Sequence, residues 1–535
     1  MILHPIKTRT RPLPLAALPP ALAVLFLFSG TAQGQYDLLI RNARVVDGTG
    51  NPWFKADVAV KDGRIAAIAS LPGAKAAREI DAGGRVVTPG FIDVHTHVEG
   101  AVEQAPRGDN YLMDGVTTIV TGNCGGSVAN MAAWFRALEE KGLGLNLASL
   151  IGHNTVRREV MGSANRQATP DEIARMKELV HRAMQEGAVG LSTGLIYIPG
   201  TYANSDEVVE LGKSAAPYNG VYASHMRDEG AKILESIHEA ARVGGEAGVR
   251  VQLSHFKIDA PRLWGMSDKS IALVEEYRKK GVDVVVDQYP YDHSSTNLGI
   301  TLPSWALADG SEAVRKRLTE PSTRAEIAAQ MERDLKALGH NDYSYGIVAR
   351  YKPEREYEGK NIADITKLRG AEPTLANQIE TIFAMTLAGG AQMVYHSMGD
   401  VDVERIMRYP NTAVASDGGI RVFGEGMPHP RSYGTNARVL AEYVRKRGLL
   451  TLEDAVRRMT SLPARTFAFK DRGVLREGAA ADILVFDPEK VQDKATYAQP
   501  HQYTQGIDYV VVNGVVMVDQ GALTEARGGK VLRRQ

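Results

Sequence analysis

The chain has a single cysteine, Cys124, in 535 residues. That excludes an internal disulfide framework and leaves stability to the core. It has no excess of either charge: Lys+Arg and Asp+Glu both number 63, so there is no basic footprint for nucleic acid. It lacks any apolar run near the ~20 residues needed to span a bilayer, and it has no internal repeat or low-complexity tract. What remains is 44% apolar and 24% charged residues, the composition of a globular protein. The length suits a large α/β barrel with an appended second domain.

The first 34 residues read as an export signal. Lys7, Arg9 and Arg11 precede an apolar run from Ala21 to Phe28, then small residues at Ala32 and Gly34, the charged, apolar and cleavage regions of such a segment. Cleavage would leave Gln35 first, remove three of the 63 cations and no acid, and give 60 against 63, a net charge of −3. No cysteine stands at the cleavage site for lipid attachment. The expectation is an exported protein, periplasmic or secreted, with no membrane association once the signal is cut. A lone thiol exported to an oxidising compartment is a liability unless buried or metal-bound.

From Tyr36 to Arg85 short alternating strands are separated by Gly and Asp turns, and the same texture returns in Gly473–Phe486 and Ile507–Met517. Neither end has enough strands to stand alone, so the two are expected to form one small β-sandwich domain from both termini, residues 35–86 and 466–535. Between them, strands alternate with helical stretches such as Pro170–Met184, the pattern of a parallel sheet. Residues 87–465 are therefore assigned to a distorted (β/α)8 TIM barrel. Candidate strands end near His97, Asn123, Gly152, Thr193, His225, His255, Asp287, His396 and Asp417. Nine is one too many for eight, and the one at His396 is the suspect. The strand rhythm is lost from about 301 to 385, an inserted subdomain that is either a lid over the site or a docked structural unit.

In such barrels chemistry gathers at the C-terminal ends of the strands. The run Val87–His97 ends in His-x-His, and on a strand those two side chains leave on one face about 7 Å apart, within reach of one metal ion. Cys124, His225, His255 and Asp417 each end a further apolar run. Imidazole and thiolate are ligands that zinc favours.

These residues match a family. The chain resembles the amidohydrolase superfamily, and within it the N-acyl-D-amino-acid deacylases. The resemblance rests on Pro89–His97, Gly122-Asn-Cys-Gly125, Gly190–Tyr197 with Pro199-Gly200, Ser224–Glu229, Ser254–Lys257, Asp287–Tyr291, Ser416-Asp-Gly418 and His429–Thr435. It implies a zinc held tightly by Cys124, His225 and His255, with His95 and His97 forming a second, weaker position. Many relatives use a carboxylated lysine on the fourth strand. Here Gly187–Gly194 has none, which disfavours a hydantoinase or dihydroorotase. One departure is that Val98-Glu99-Gly100 follows the histidine pair where many deacylases have two acids.

The resemblance further implies hydrolysis of the amide of N-acyl-D-amino acids or D-residue dipeptides, with Asp417 taking a proton from water and returning it to the leaving amine. Lys257 and Tyr289 share the faces of His255 and Asp287. With Arg431 they are candidates for the substrate carboxylate, and Tyr197 for the pocket wall; each is also open to a structural role. Asp228 and Glu229 either orient ligands or form a solvated loop. The competing readings are another amidohydrolase, such as a dipeptidase or cyclic-amide hydrolase, and a non-catalytic binding protein of the same fold. The complete ligand set together with Asp417 argues against the last. Side-chain preference, one metal or two, and oligomeric state are not set by the sequence.

Overall fold

The computed structural model describes residues 1, 2 and 35–534; residues 3–34 of the expected export segment lie outside them. At the centre are eight parallel strands, all but β7 followed by helix. They are β1 (Phe91–Asp93), β2 (Val116–Thr121), β3 (Asn146–Ser149 and Ile151–Gly152, interrupted at Leu150), β4 (Gly190–Gly194), β5 (Val221–His225), β6 (Arg250–Leu253), β7 (Val284–Gln288) and β8 (Thr412–Val414). β1 to the first half of β3 pair in order, and the second half of β3 to β8 pair in order. The ring closes where Thr96, past β1, bridges Gly418, past β8. These strands are buried almost throughout, as expected where one face fills the barrel and the other meets helices. The helix Pro170–Gln185 shows how sequence sets the outer layer. Thr169 and Glu172 form a reciprocal capping box, Pro170 occupies the first turn, and Met176, Val180, Ala183 and Met184 make its buried stripe.

The ninth candidate strand, Gln392–His396, is not in the barrel. It pairs antiparallel with His293–Asn297 and Gly346–Arg350. The inserted unit is thus wider than 301–385, because its sheet begins at 293 and ends at 396. Its helices, Pro321–Leu338 and Leu375–Leu387 among them, enclose a separate core of Ile327, Met331, Leu335, Phe383 and Met393.

Strands from both ends of the chain form one nine-stranded sheet. The two halves join where Val86–Pro89 runs antiparallel to Ile483–Phe486, Val87 opposite Val485. The sheet curls until Arg64 bridges Ala480, so that Ile40, Val58, Val60, Ile483 and Val511 share one core. Two boundaries move. Val86–Pro89 belongs to this sheet, so the barrel starts at Phe91 and the run Val87–His97 is two strands and a loop. The break falls at Gly90, whose amide donates to the Asp482 carbonyl at 2.9 Å and where a Cβ would lie 2.2 Å from the Thr117 side chain. At the far end, the last residues leave the sheet and run under the barrel: Gly529 bridges Leu143, Val531 bridges Leu147, and the Arg534 amide donates to Gly187. No helix among the described residues is long and apolar enough to cross a membrane.

Candidate metal centre

β1 stops at Asp93 because that buried carboxylate, not a neighbouring strand, takes the next amide. It accepts from His95 N–H at 3.1 Å and from Ser416 N–H at 3.1 Å. Burial pushes Asp93 up to about 6 against these bonds. His95 and His97 therefore stand in the loop past the strand, not on it, and the common face expected from strand periodicity is not what aligns them. They still meet one partner: Asp417 Oδ1 is 3.0 Å from His97 Nε2 and 3.5 Å from His95 Nε2.

Three residues at the strand ends adopt left-handed backbone: Cys124 (φ 51°), His255 (φ 35°) and Asp417 (φ 48°). For non-glycine residues this conformation costs on the order of 1–3 kcal/mol each, and it persists only where the surroundings enforce it. Here it turns each side chain off the strand toward the barrel axis. Cys124 Sγ lies 3.3 Å from His95 Nε2 and 3.6 Å from His255 Nε2, and His255 Nε2 lies 2.8 Å from His225 Nδ1. The atoms of His95, Cys124 and His255 thus converge, as do those of His95, His97 and Asp417, and of His225, Glu229 and His255.

The donor set fits zinc. Bonds of about 2.3 Å to sulfur and 2.0 Å to nitrogen at a tetrahedral angle place S and N about 3.5 Å apart, close to the spacing around Cys124. Burial opposes ionisation of that thiol, but His95, His225 and His255 hold it well below its ordinary value, as a thiolate ligand requires. His225 Nε2 is buried without a hydrogen-bond partner.

Carboxylates stand behind two of the rings, and at His255 Nδ1 the Lys257 ammonium approaches as well, to 2.7 Å. Glu229 Oε1 is 2.9 Å from His255 Nδ1, and Asp287 Oδ2 is 3.3 Å from His95 Nδ1. A carboxylate on the far nitrogen holds the near one as a lone-pair donor. Asp287 also accepts the His255 amide and the Gln252 side chain, both at 2.7 Å. Sequence reasoning left Glu229 undecided and gave Asp287 no role, although Asp287 follows the apolar run Val284–Val286 just as the named residues follow theirs. Asp228 does something different: its carboxylate caps the loop amides of Gly230 and Lys232. Glu99, in the segment that departs from the family pattern, accepts from Thr121 Oγ1 and Gly122 N–H at 2.6 Å each and so pins the turn that presents Cys124.

The candidate substrate residues lie in the same place. Lys257 Nζ is 2.8 Å from Glu229 Oε2. Arg431 Nη1 is 2.9 Å from Asp417 Oδ2, and its guanidinium covers the Tyr289 ring at 4.6 Å. Burial works against charge on Asp417, but Arg431, then His95, hold it well below the usual carboxylate range. Tyr289 Oη is buried without a hydrogen-bond partner. Tyr197 donates to or accepts from Thr296 at 2.9 Å and meets the His225 ring edge-on. All of these line one cavity of about 860 Å³. The inserted unit supplies its far wall through Tyr343, Tyr345 and Tyr395, so that unit is in contact with the site and is not merely docked beside it.

Comparison with known proteins agrees with this architecture. A family model described as "Amidohydrolase family" matches residues 78–518. The chain is 35% identical to N-acyl-D-glutamate deacylase of Alcaligenes xylosoxydans xylosoxydans, covering 94% of this chain and 97% of that protein. It is 34% identical to D-aminoacylase of the same organism, covering 93% and 98%. Among solved structures, N-acyl-D-glutamate deacylase from Bordetella bronchiseptica, complexed with zinc and a phosphonate inhibitor, superimposes with a TM-score of 0.80 at 34% identity, over 93% of this chain and 99% of that one. A fold shared along nearly the whole length, with identity above a third, places the chain in the amidohydrolase family, among the N-acyl-D-amino-acid deacylases.

Proposed function

We propose that this enzyme hydrolyses the amide bond of N-acyl-D-amino acids, or of D-residue dipeptides, to a carboxylate and a free D-amino acid, using zinc. The observation that carries the reading is the convergence of the Cys124 sulfur with the ring nitrogens of His95 and His255 at 3.3 and 3.6 Å. The D configuration follows the activities of the relatives. Cys124, His225 and His255 would hold the tightly bound ion, and His95 and His97 a second, weaker one. Zinc, when bound, lowers the pKa of a water from ~15.7 to about 7 and polarises the acyl carbonyl.

The side chains do the rest. Asp417, kept ionised by Arg431 and hydrogen-bonded to His97, accepts the water proton and delivers it to the leaving amine, so that one carboxylate serves as base and then acid. Lys257, Tyr289 and Arg431 face the carboxylate end of the substrate, and Tyr197 lines the pocket. The charged start of the chain supports export, with hydrolysis outside the cytoplasm. A screen of N-acetyl-D- and N-acetyl-L-amino acids, run beside elemental zinc analysis, tests the reading. Turnover of D substrates by protein carrying zinc is expected; zinc-loaded protein inert toward every D substrate would refute it.

A further inference from the structure

Besides Arg350, which pairs with Glu425 at 3.3 Å, three cations line the cavity, and two of them are already neutralised. Lys257 Nζ contacts Glu229 Oε2 at 2.8 Å, and Arg431 Nη1 contacts Asp417 Oδ2 at 2.9 Å while Nη2 donates to the Ser295 carbonyl at 3.2 Å. These two are the cations assigned above to the carboxylate end of the substrate, each shared there with a buried protein acid. The third, Arg421, is different. It lines the same cavity, it is exposed to it, and no carboxylate among the described residues lies within ion-pair distance of its guanidinium. The charges that act on it most are those of Tyr111, Arg431, Tyr433 and Arg350, and enclosure by the protein around the cavity, more than the like charges, lowers its pKa.

Arg421 is nonetheless held in place. Its Nε donates to Ser432 Oγ at 3.2 Å and its amide to Asn110 Oδ1 at 3.3 Å. The guanidinium lies over Gly419, where a Cβ would come within 3.4 Å of Cζ and Nη2. The Gly418-Gly419 step after Asp417 thus leaves room for a planar cation to fold back toward the site. Neither Nη group has a partner among the described residues, which leaves free the fork that matches a carboxylate in bidentate geometry.

We propose that Arg421 is the specificity-determining cation of this enzyme, pairing with a carboxylate of the substrate; the inference rests on the deacylase reading above. Because Lys257, Tyr289 and Arg431 take the α-carboxylate end, that carboxylate is one carried further out, on the substrate's side chain. The test compares wild type, Arg421→Ala and Arg421→Lys, each with zinc quantified, on N-acetyl-D-methionine, its α-carboxamide and N-acetyl-D-glutamate. Arg421→Ala should raise KM at least tenfold, or 1.4 kcal/mol, on N-acetyl-D-glutamate, more than it changes kcat, with Arg421→Lys intermediate. A rise confined to N-acetyl-D-glutamate is the expected result; a rise shared by both acids and absent for the carboxamide places Arg421 at the α-carboxylate and overturns the assignment. Wild-type turnover with KM values in Arg421→Ala within twofold on all three substrates overturns the inference and leaves the deacylase reading standing. Should wild type turn over none, that reading fails, and calorimetric titration of succinate into zinc-loaded wild type and Arg421→Ala decides this one: weaker binding to the variant supports it, equal affinities overturn it.

Discussion

Glu229 is the most informative residue to perturb, because it serves two partners at once. One carboxylate oxygen is 2.9 Å from His255 Nδ1 and the other 2.8 Å from Lys257 Nζ, and all three side chains are buried. Burial opposes its charge, yet Lys257 and His255 hold it well below the usual carboxylate range. Glu229→Gln keeps the volume but presents one acceptor and one donor, so it satisfies either the imidazole or the ammonium and not both. Losing the carboxylate behind a metal ligand weakens metal affinity by about 10- to 100-fold. Leaving a buried ammonium without its counter-ion costs about 3–5 kcal/mol of stability. Lys257→Met in the same chain removes the orphaned charge and leaves the amide oxygen to His255 Nδ1–H, so Glu229→Gln/Lys257→Met should recover most of the stability and part of the zinc affinity. Denaturant unfolding of the zinc-free proteins reads the first quantity, and competition with a chelator reads the second. A Glu229→Gln protein that binds zinc as tightly as wild type would refute the claim that this carboxylate orients His255.

Other substitutions separate the parts of the site. Cys124→Ala should lower the zinc content of purified protein, measured by elemental analysis; unchanged content would remove the thiolate from the ligand set. Asp417→Asn should keep its zinc and lose turnover by about 10²-fold or more, and near-wild-type rates would assign proton transfer elsewhere. Gly125→Ala should destabilise the fold by about 1–3 kcal/mol and reduce zinc occupancy, since φ there is +75° and a Cβ would sit 2.2 Å from Asn154 Oδ1; an unchanged unfolding midpoint and zinc content would show that the Cys124 turn tolerates the shift.

Much of the molecule is legible without coordinates, for a local reason. Hydrophobic period, turn residues and helix caps act over a few positions, so the alternation of strand and helix, and with it the barrel, follows from the sequence. The same locality explains the errors. Pro89-Gly90 divides what looks like one apolar run because Gly90 meets Asp482, nearly 400 positions away. The strand ending at His396 has the composition of a barrel strand, yet its partners are His293–Asn297 and Gly346–Arg350.

The sequence by itself determined the fold class and which polar residues end its strands, including every side chain now found around the Cys124 sulfur. Only the tertiary structure decided how they pair: Glu229 and Asp287 behind the imidazoles, Arg431 committed to Asp417, and Arg421 without an acid. Those contacts depend on left-handed turns at Cys124, His255 and Asp417, a conformation that aspartate and histidine enter more readily than most residues but cysteine does not, and that the packed strand ends hold in place.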